Sequence, residues 1–205
     1  MIYNSIFTLF FLFAIQLGQQ EKKTIVFFGD SITAGYGLSK EQAFPALIET
    51  KLNEGTEAYE ILNAGLSGET SAGGLSRIDW ILKKPVDVFV LELGANDGLR
   101  GLPLASTKEN LQNIINKVKK KNPEVVIVIA GMMVPPNLGN AYTNEFQQIF
   151  PALAKDNNAI LIPFILDGVA GDEKLNLPDG IHPNVEGHQI IANNITPIIR
   201  KASQP

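Results

Sequence analysis

Residues 24–37 read Thr-Ile-Val-Phe-Phe-Gly-Asp-Ser-Ile-Thr-Ala-Gly-Tyr-Gly, and the fold is decided there. The stretch opens on an uninterrupted apolar, β-favouring run, residues 25–28, the pattern of a buried strand. The run stops at Gly29, and Asp30 and Ser31 supply turn chemistry. A turn there presents the Ser31 hydroxyl at the carboxyl end of a strand, where open α/β sheets place their ligand sites. Gly35 and Gly37 keep the loop beyond it slim. Ser31 is therefore a candidate nucleophile. Taken alone, an Asp-Ser pair reads more simply as a helix cap or a turn. Three later stretches, around Gly68, Asn96 and Asp179 with His182, change that reading.

Outward from this stretch, strand-like runs recur at 59–62, 86–93, 125–130 and 159–163. Most are continuously apolar, which suits a parallel sheet covered on both faces. Helical spacing fills the intervals. Residues 41–54 place Phe44, Leu47, Ile48 and Leu52 on one face, and residues 70–83 do so with Leu75, Ile78 and Leu82. Ser106 and Glu109 have capping-box spacing ahead of an apolar stripe that Asn122 and Pro123 end. Residues 142–156 carry Phe146, Ile149, Phe150 and Leu153. The last helix, 185–201, contains Pro197, which is expected to kink or end it early. The alternation predicts one α/β domain over residues 21–205, a doubly wound three-layer α/β/α sandwich.

The chain has 205 residues, enough for one domain with a full core. It has no cysteine, so disulfides, zinc-thiolate sites and thiol nucleophiles are excluded. With two histidines, His182 and His188, a histidine-rich metal site is not expected. The net charge of −4 comes without a basic patch for nucleic acid. The densest positive run, Lys117 to Lys121, lies at a helix end, where it complements the helix dipole. Residues 1–20 carry no charge and are nearly all apolar from Ile6 to Leu17. That run is shorter than the ~20 residues of a membrane span and fits the core of a secretory signal peptide. The expected location is secreted or periplasmic, with no stable membrane span; an uncleaved membrane-surface anchor is the alternative.

Four loops carry unusual polar chemistry. They hold Ser31; Asn63-Ala-Gly-Leu-Ser-Gly68; Gly94-Ala-Asn96-Asp97-Gly98; and Asp179-Gly-Ile-His182-Pro183. A serine that attacks a carbonyl needs a base, and the base needs an orienter. His182 is the candidate base and Asp179 the orienter; taken alone, Asp179 reads more simply as an Asx-turn and His182 as a loop histidine. A tetrahedral intermediate needs waiting hydrogen-bond donors. The Asn96 amide, the Gly68 N–H and the Ser31 N–H are candidates; plain turns are the alternative for Gly68 and for 96–98. His188 reads as a helix-face residue without a catalytic role.

Together the four blocks resemble the SGNH, or GDSL, hydrolases. The match runs through Ser31 in Gly29-Asp-Ser-Ile, Gly68, Asn96 in Gly94-Ala-Asn-Asp, and His182 in Asp179-Gly-Ile-His-Pro. Ile32 stands where the family name has leucine. The nearer likeness is to the bacterial multifunctional branch with acyl-thioesterase, lysophospholipase and arylesterase activity, through Asn96-Asp-Gly-Leu-Arg-Gly101 and Pro135-Pro-Asn-Leu-Gly-Asn-Ala-Tyr142. The resemblance implies a flavodoxin-like sandwich with a five-stranded parallel sheet in the order 2-1-3-4-5. It also implies a Ser31–His182–Asp179 triad, an oxyanion hole from Ser31, Gly68 and Asn96, and no metal or organic cofactor. The substrate would be a small-molecule acyl ester or thioester.

The loops near this site are apolar, and Leu99, Met132, Pro135 and Leu138 are candidates to receive an acyl chain. Capping of the sheet would use the same residues. Arg100 reads as solvated. A carbohydrate O-acetylesterase uses the same blocks and is the alternative activity. A non-catalytic flavodoxin-like binding module is the alternative of another class, though a binder has no need of all four loops.

Overall fold

In a computed structural model that describes residues 22–55 and 58–204, the apolar run around Phe27 forms an inner strand of the sheet. Strand β1 (Lys23–Gly29) pairs in parallel with β2 (Tyr59–Gly65) on one side and with β3 (Val88–Glu92) on the other. Strand β3 pairs with β4 (Val126–Ala130), and β4 with β5 (Ile160–Ile162), all parallel. The order is therefore β2-β1-β3-β4-β5, as the resemblance implies. The expected signal peptide, residues 1–20, lies outside the described residues. Among the described residues no helix is long and apolar enough to cross a membrane.

Seven helices surround the sheet among the described residues: α1 (Ser31–Ala34), α2 (Phe44–Leu52), α3 (Ser71–Ile81), α4 (Ala95–Leu99), α5 (Leu104–Lys121), α6 (Asn140–Asn157) and α7 (Val185–Ala202). Strand alternation sorts them onto two faces. Phe27 meets Phe44 of α2 edge-on, with ring centroids 5.4 Å apart. Its neighbour Phe28 points the other way, towards Phe89 and the closely packed α3 and α5. Helix α7 covers α2, and α6 lies beside α5. Both faces of β1 and β3 are thus buried, which is why neither strand shows an alternating pattern. Edge strand β2 is half open, and Leu62 is exposed there.

Three local expectations are corrected. Helix α5 begins at Leu104, not at Ser106, and Pro103 stands at its cap. The N–H groups of Ser106 and Thr107 donate to the Pro103 carbonyl, so Ser106 is already helical and no capping box forms. Burial of Leu104 and Thr107 pulls the start forward. Helix α7 runs through Pro197 to Ala202. Pro197 sits on the exposed side, where water can satisfy the carbonyl its ring leaves free, while Ile195 and Ile199 anchor the buried side. Strand β3 is shorter than the apolar run: Val86 and Leu93 are buried outside it.

One close approach fixes how α1 sits on the sheet. A Cβ added to Gly65 would lie 2.2 Å from the backbone nitrogen of Ala34 and 2.7 Å from its Cα. Helix α1 thus rests directly on the end of β2. Gly65→Ala is expected to destabilise the fold by about 1–3 kcal/mol, as overpacking against rigid backbone does. Chemical denaturation checks this, and an unchanged midpoint would contradict the packing.

Candidate active site

Strand β1 ends where the backbone has no spare room. A Cβ on Gly29 would meet Thr33 Oγ1 at 2.2 Å and the Glu92 carboxylate at 2.5 Å. The chain then turns into α1, with Asp30 as its N-cap: the Asp30 Oδ1 accepts from the Ile32 N–H at 3.0 Å. Ser31 is the first residue of that helix, so the stretch directly after the serine is a single helical turn and not the slim loop read from the sequence. Gly35, with φ of 73°, ends the turn in the left-handed region that glycine favours. The Tyr36 N–H then donates back to the Ser31 carbonyl at 3.0 Å.

The Asp179–His182 segment folds on itself. Asp179 Oδ1 accepts from the N–H groups of Ile181 and His182 at 2.9 and 3.0 Å, and Oδ2 contacts His182 Nδ1 at 2.8 Å. The Asx-turn and the carboxylate–imidazole pair are therefore one arrangement. His182 Nε2 lies 3.0 Å from Ser31 Oγ. A proton on Nδ1 satisfies the carboxylate and leaves Nε2 free to accept from the serine. The two backbone N–H bonds, with the imidazole added, lower the Asp179 pKa to about 2. The carboxylate is thus ionised at any pH at which the fold is expected to work. Tyr36 lays its ring beside the imidazole, centroids 4.5 Å apart.

The candidate oxyanion donors come from two further loops. Gly68 occupies an exposed turn after β2 with φ of 79°, and an added Cβ would meet only Arg100 Nη2, at 3.9 Å. Backbone conformation, and not crowding, asks for glycine there. Among the described residues neither the Gly68 N–H nor the Ser31 N–H has a protein acceptor. Asn96 sits in α4, so the alternative of a plain turn at 96–98 gives way to a short helix. Its Nδ2 donates to Asp30 Oδ2 at 3.1 Å and to the Glu69 carbonyl at 3.0 Å, tying together the loops that carry Ser31 and Gly68. Arg100 is not merely solvated: it donates to the Gly68 carbonyl at 3.0 Å.

Behind these loops lie charged residues that the sequence reading passed over. Glu69 is buried and ion-paired with Arg77, which also donates to the Ala64 carbonyl at 2.8 Å and covers the Phe28 ring. Glu92 ends β3 fully buried. Its Oε2 accepts from Thr33 Oγ1 at 2.7 Å and from the N–H groups of Asp30 and Thr33 at 3.3 Å, while Oε1 has no hydrogen-bond partner among the described residues. Burial, reinforced by the adjacent Asp30, pushes the Glu92 pKa well above the carboxylate range. Burial likewise raises Asp30 to about 6, against the pull of the Ile32 N–H. A glutamate closing an otherwise apolar strand was the available signal for Glu92; nothing in the sequence marked Tyr36.

An apolar cavity of about 490 Å³ opens beside the Ser31–His182 contact. Ile32 and Ile181, the chain neighbours of Ser31 and His182, line it with Leu99, Met132, Met133 and Pro135. Leu138 does not: the lining on its loop ends at Pro136, and the short turn Pro136–Leu138 carries that leucine past the cavity. His188 is buried on α7, where its Nδ1 accepts from the Phe44 N–H at 3.1 Å. Burial lowers its pKa to about 4, so it is a neutral helix-face residue that completes the start of α2. Among the described residues no cluster of three or more His, Asp or Glu could hold a metal.

Residues 27–190 match the model of the GDSL-like lipase/acylhydrolase family. The chain is 36% identical over 184 residues to a Pseudomonas aeruginosa protein named esterase TesA, covering 89% of this chain and 90% of that one. It is 38% identical over 171 residues to the thioesterase 1/protease 1/lysophospholipase L1 of Escherichia coli K12, covering 83% and 80%. The crystal structure of a TesA superposes with a TM-score of 0.83 at 34% identity, over 88% of this chain and 99% of that one.

The raised pKa of Glu92 has a sign that can be measured. The folded protein holds this proton above the ordinary glutamate value of 4.5, where the unfolded chain has released it. Stability therefore falls as pH rises from that value through the raised folded pKa. Glu92→Gln, which mimics the neutral acid, should melt like the parent near pH 4 and increasingly above it as pH rises. Parallel melting curves across this range would show that Glu92 titrates normally.

Proposed function

The chain belongs to the GDSL-like lipase/acylhydrolase family and is a carboxylic ester hydrolase, and on that premise we propose that it cleaves esters and thioesters of small to medium acyl chains through an acyl-Ser31 intermediate. The observation that carries the proposal is the pair of contacts at His182: 2.8 Å from Nδ1 to Asp179 and 3.0 Å from Nε2 to Ser31 Oγ.

In this reading His182 Nε2 takes the Ser31 proton as Oγ bonds to the substrate carbonyl carbon. The ionised Asp179 holds the imidazole and offsets its transient positive charge. The carbonyl oxygen becomes an oxyanion that accepts from the Ser31 and Gly68 N–H groups and from the Asn96 amide. As the intermediate collapses, His182 returns the proton to the departing alcohol or thiol. Water then repeats the sequence on the acyl-serine, and the carboxylic acid leaves. The cavity lined by Leu99, Met132 and Met133 receives the acyl chain, and its apolar walls favour this over carbohydrate O-acetyl groups, whose polar leaving part it would not match. Lysophospholipids are included as substrates, in line with the name of the Escherichia coli relative. A non-catalytic binding module gives no reason for Ser31, His182 and Asp179 to be hydrogen-bonded in series. The apolar segment over residues 1–20 supports export to the periplasm or medium as part of the same proposal.

A panel of p-nitrophenyl esters of rising chain length, with an aryl ester, an acyl thioester, a lysophospholipid and an acetylated sugar, tests the substrate class. Activity is expected on butyryl and longer chains, and activity confined to acetyl groups would favour the O-acetylesterase. Ser31→Ala is expected to lower kcat by more than about 10⁴, as loss of the nucleophile does in other serine hydrolases. Parent-like activity in that variant would remove Ser31 from the mechanism.

A further inference from the structure

An asparagine side chain can face a site with either its oxygen or its nitrogen, and only the nitrogen helps a developing anion. At Asn96 both neighbours of Nδ2 are pure acceptors: the Asp30 carboxylate at 3.1 Å and the Glu69 carbonyl at 3.0 Å. A flipped amide would set its oxygen against two other oxygens. Meanwhile the second Asp30 oxygen accepts from the Ile32 N–H and so caps the helix that begins with Ser31. Resting on the oxyanion reading above, we propose that Asp30 is a positioning residue that orients the Asn96 amide and the Ser31 main chain with one carboxylate.

Asp30 does for Asn96 what Asp179 does for His182. It touches no substrate; it fixes which atom of its partner is presented. The arrangement is held from behind. The Asp30 N–H donates to Glu92 Oε2 at 3.3 Å, and Glu69 is anchored by its ion pair with Arg77. Asp30 itself is 1% exposed, so water cannot take over its role. In the resting site both Nδ2 hydrogens have acceptors. A forming oxyanion shares one of them in a three-centre bond, while the other acceptor keeps the amide in plane.

The test compares Asp30→Asn, Asn96→Ala and the double variant on one p-nitrophenyl ester, with melting temperatures recorded for each. Asn caps a helix as well as Asp does, so the start of α1 is retained. Its NH₂ group, however, faces the Asn96 NH₂, donor to donor, and turns that amide away. The expected result for Asp30→Asn is a fall in kcat of about tenfold or more, with KM within about twofold, against about 10²–10³ for Asn96→Ala. In the Asn96→Ala background the same change should cost little further, because Asp30 acts through Asn96. Parent-like kcat in Asp30→Asn, or a loss that persists in full without Asn96, overturns the proposal. Parent-like kcat in Asn96→Ala overturns the oxyanion reading and this inference with it. If Asp30→Asn melts below the assay temperature, Asp30→Ser, which keeps a cap oxygen and lacks the second, is read by the same criteria.

Discussion

The site depends on one contact: His182 Nε2 to Ser31 Oγ, 3.0 Å long, between residues 151 positions apart in the chain. No local preference could produce it. It arises because parallel strands deliver all their carboxyl ends to one rim of the sheet. Ser31 stands at the end of β1, the Gly68 turn follows β2 and Asn96 follows β3. Strand β1 lies between β2 and β3, so these three loops are neighbours before any side chain is chosen. Only the His182 segment arrives from a distance, and it brings its own carboxylate with it.

The parts of the molecule legible in the sequence are those set by short-range chemistry. Apolar runs, most of them continuous, marked the five strands, because a parallel sheet buries both faces of its inner strands. Helix periodicity found α2, α3, α5, α6 and α7. The four polar loops stood out by their glycine, asparagine and aspartate content and by their order along the chain. The one-turn helices α1 and α4 were missed, since four or five residues carry no periodicity. The start of α5 and its tolerated counterpart, Pro197 in α7, were set by which side faces water, which local signals do not report. Leu138 has the right chemistry for the cavity, but a turn takes it elsewhere.

Sequence reading was weakest on the second layer of the site. Glu69, Arg77, Glu92 and Asp30 are charged side chains withdrawn from water, each costly unless paired or neutralised. Two solutions coexist. Glu69 is paired with Arg77; Glu92 is lifted by burial and then by the charge of the adjacent Asp30, and Asp30 is lifted mainly by burial. An unpartnered Glu92 Oε1 in a buried strand end is destabilising on its own account. Its other oxygen gathers Asp30 and Thr33, and so fixes the turn that carries Ser31.

The cavity walls divide unequally between what is free to vary and what is not. Ile32 and Ile181 are bonded to Ser31 and His182, so any backbone adjustment that relocates either wall residue drags a reactive group with it. Leu99 closes α4, and Met133 and Pro135 share the loop after β4; none of the three is bonded to a reactive group. Divergence among related enzymes in the size of acyl group they accept should therefore accumulate on this untethered side, leaving the isoleucine side nearly constant.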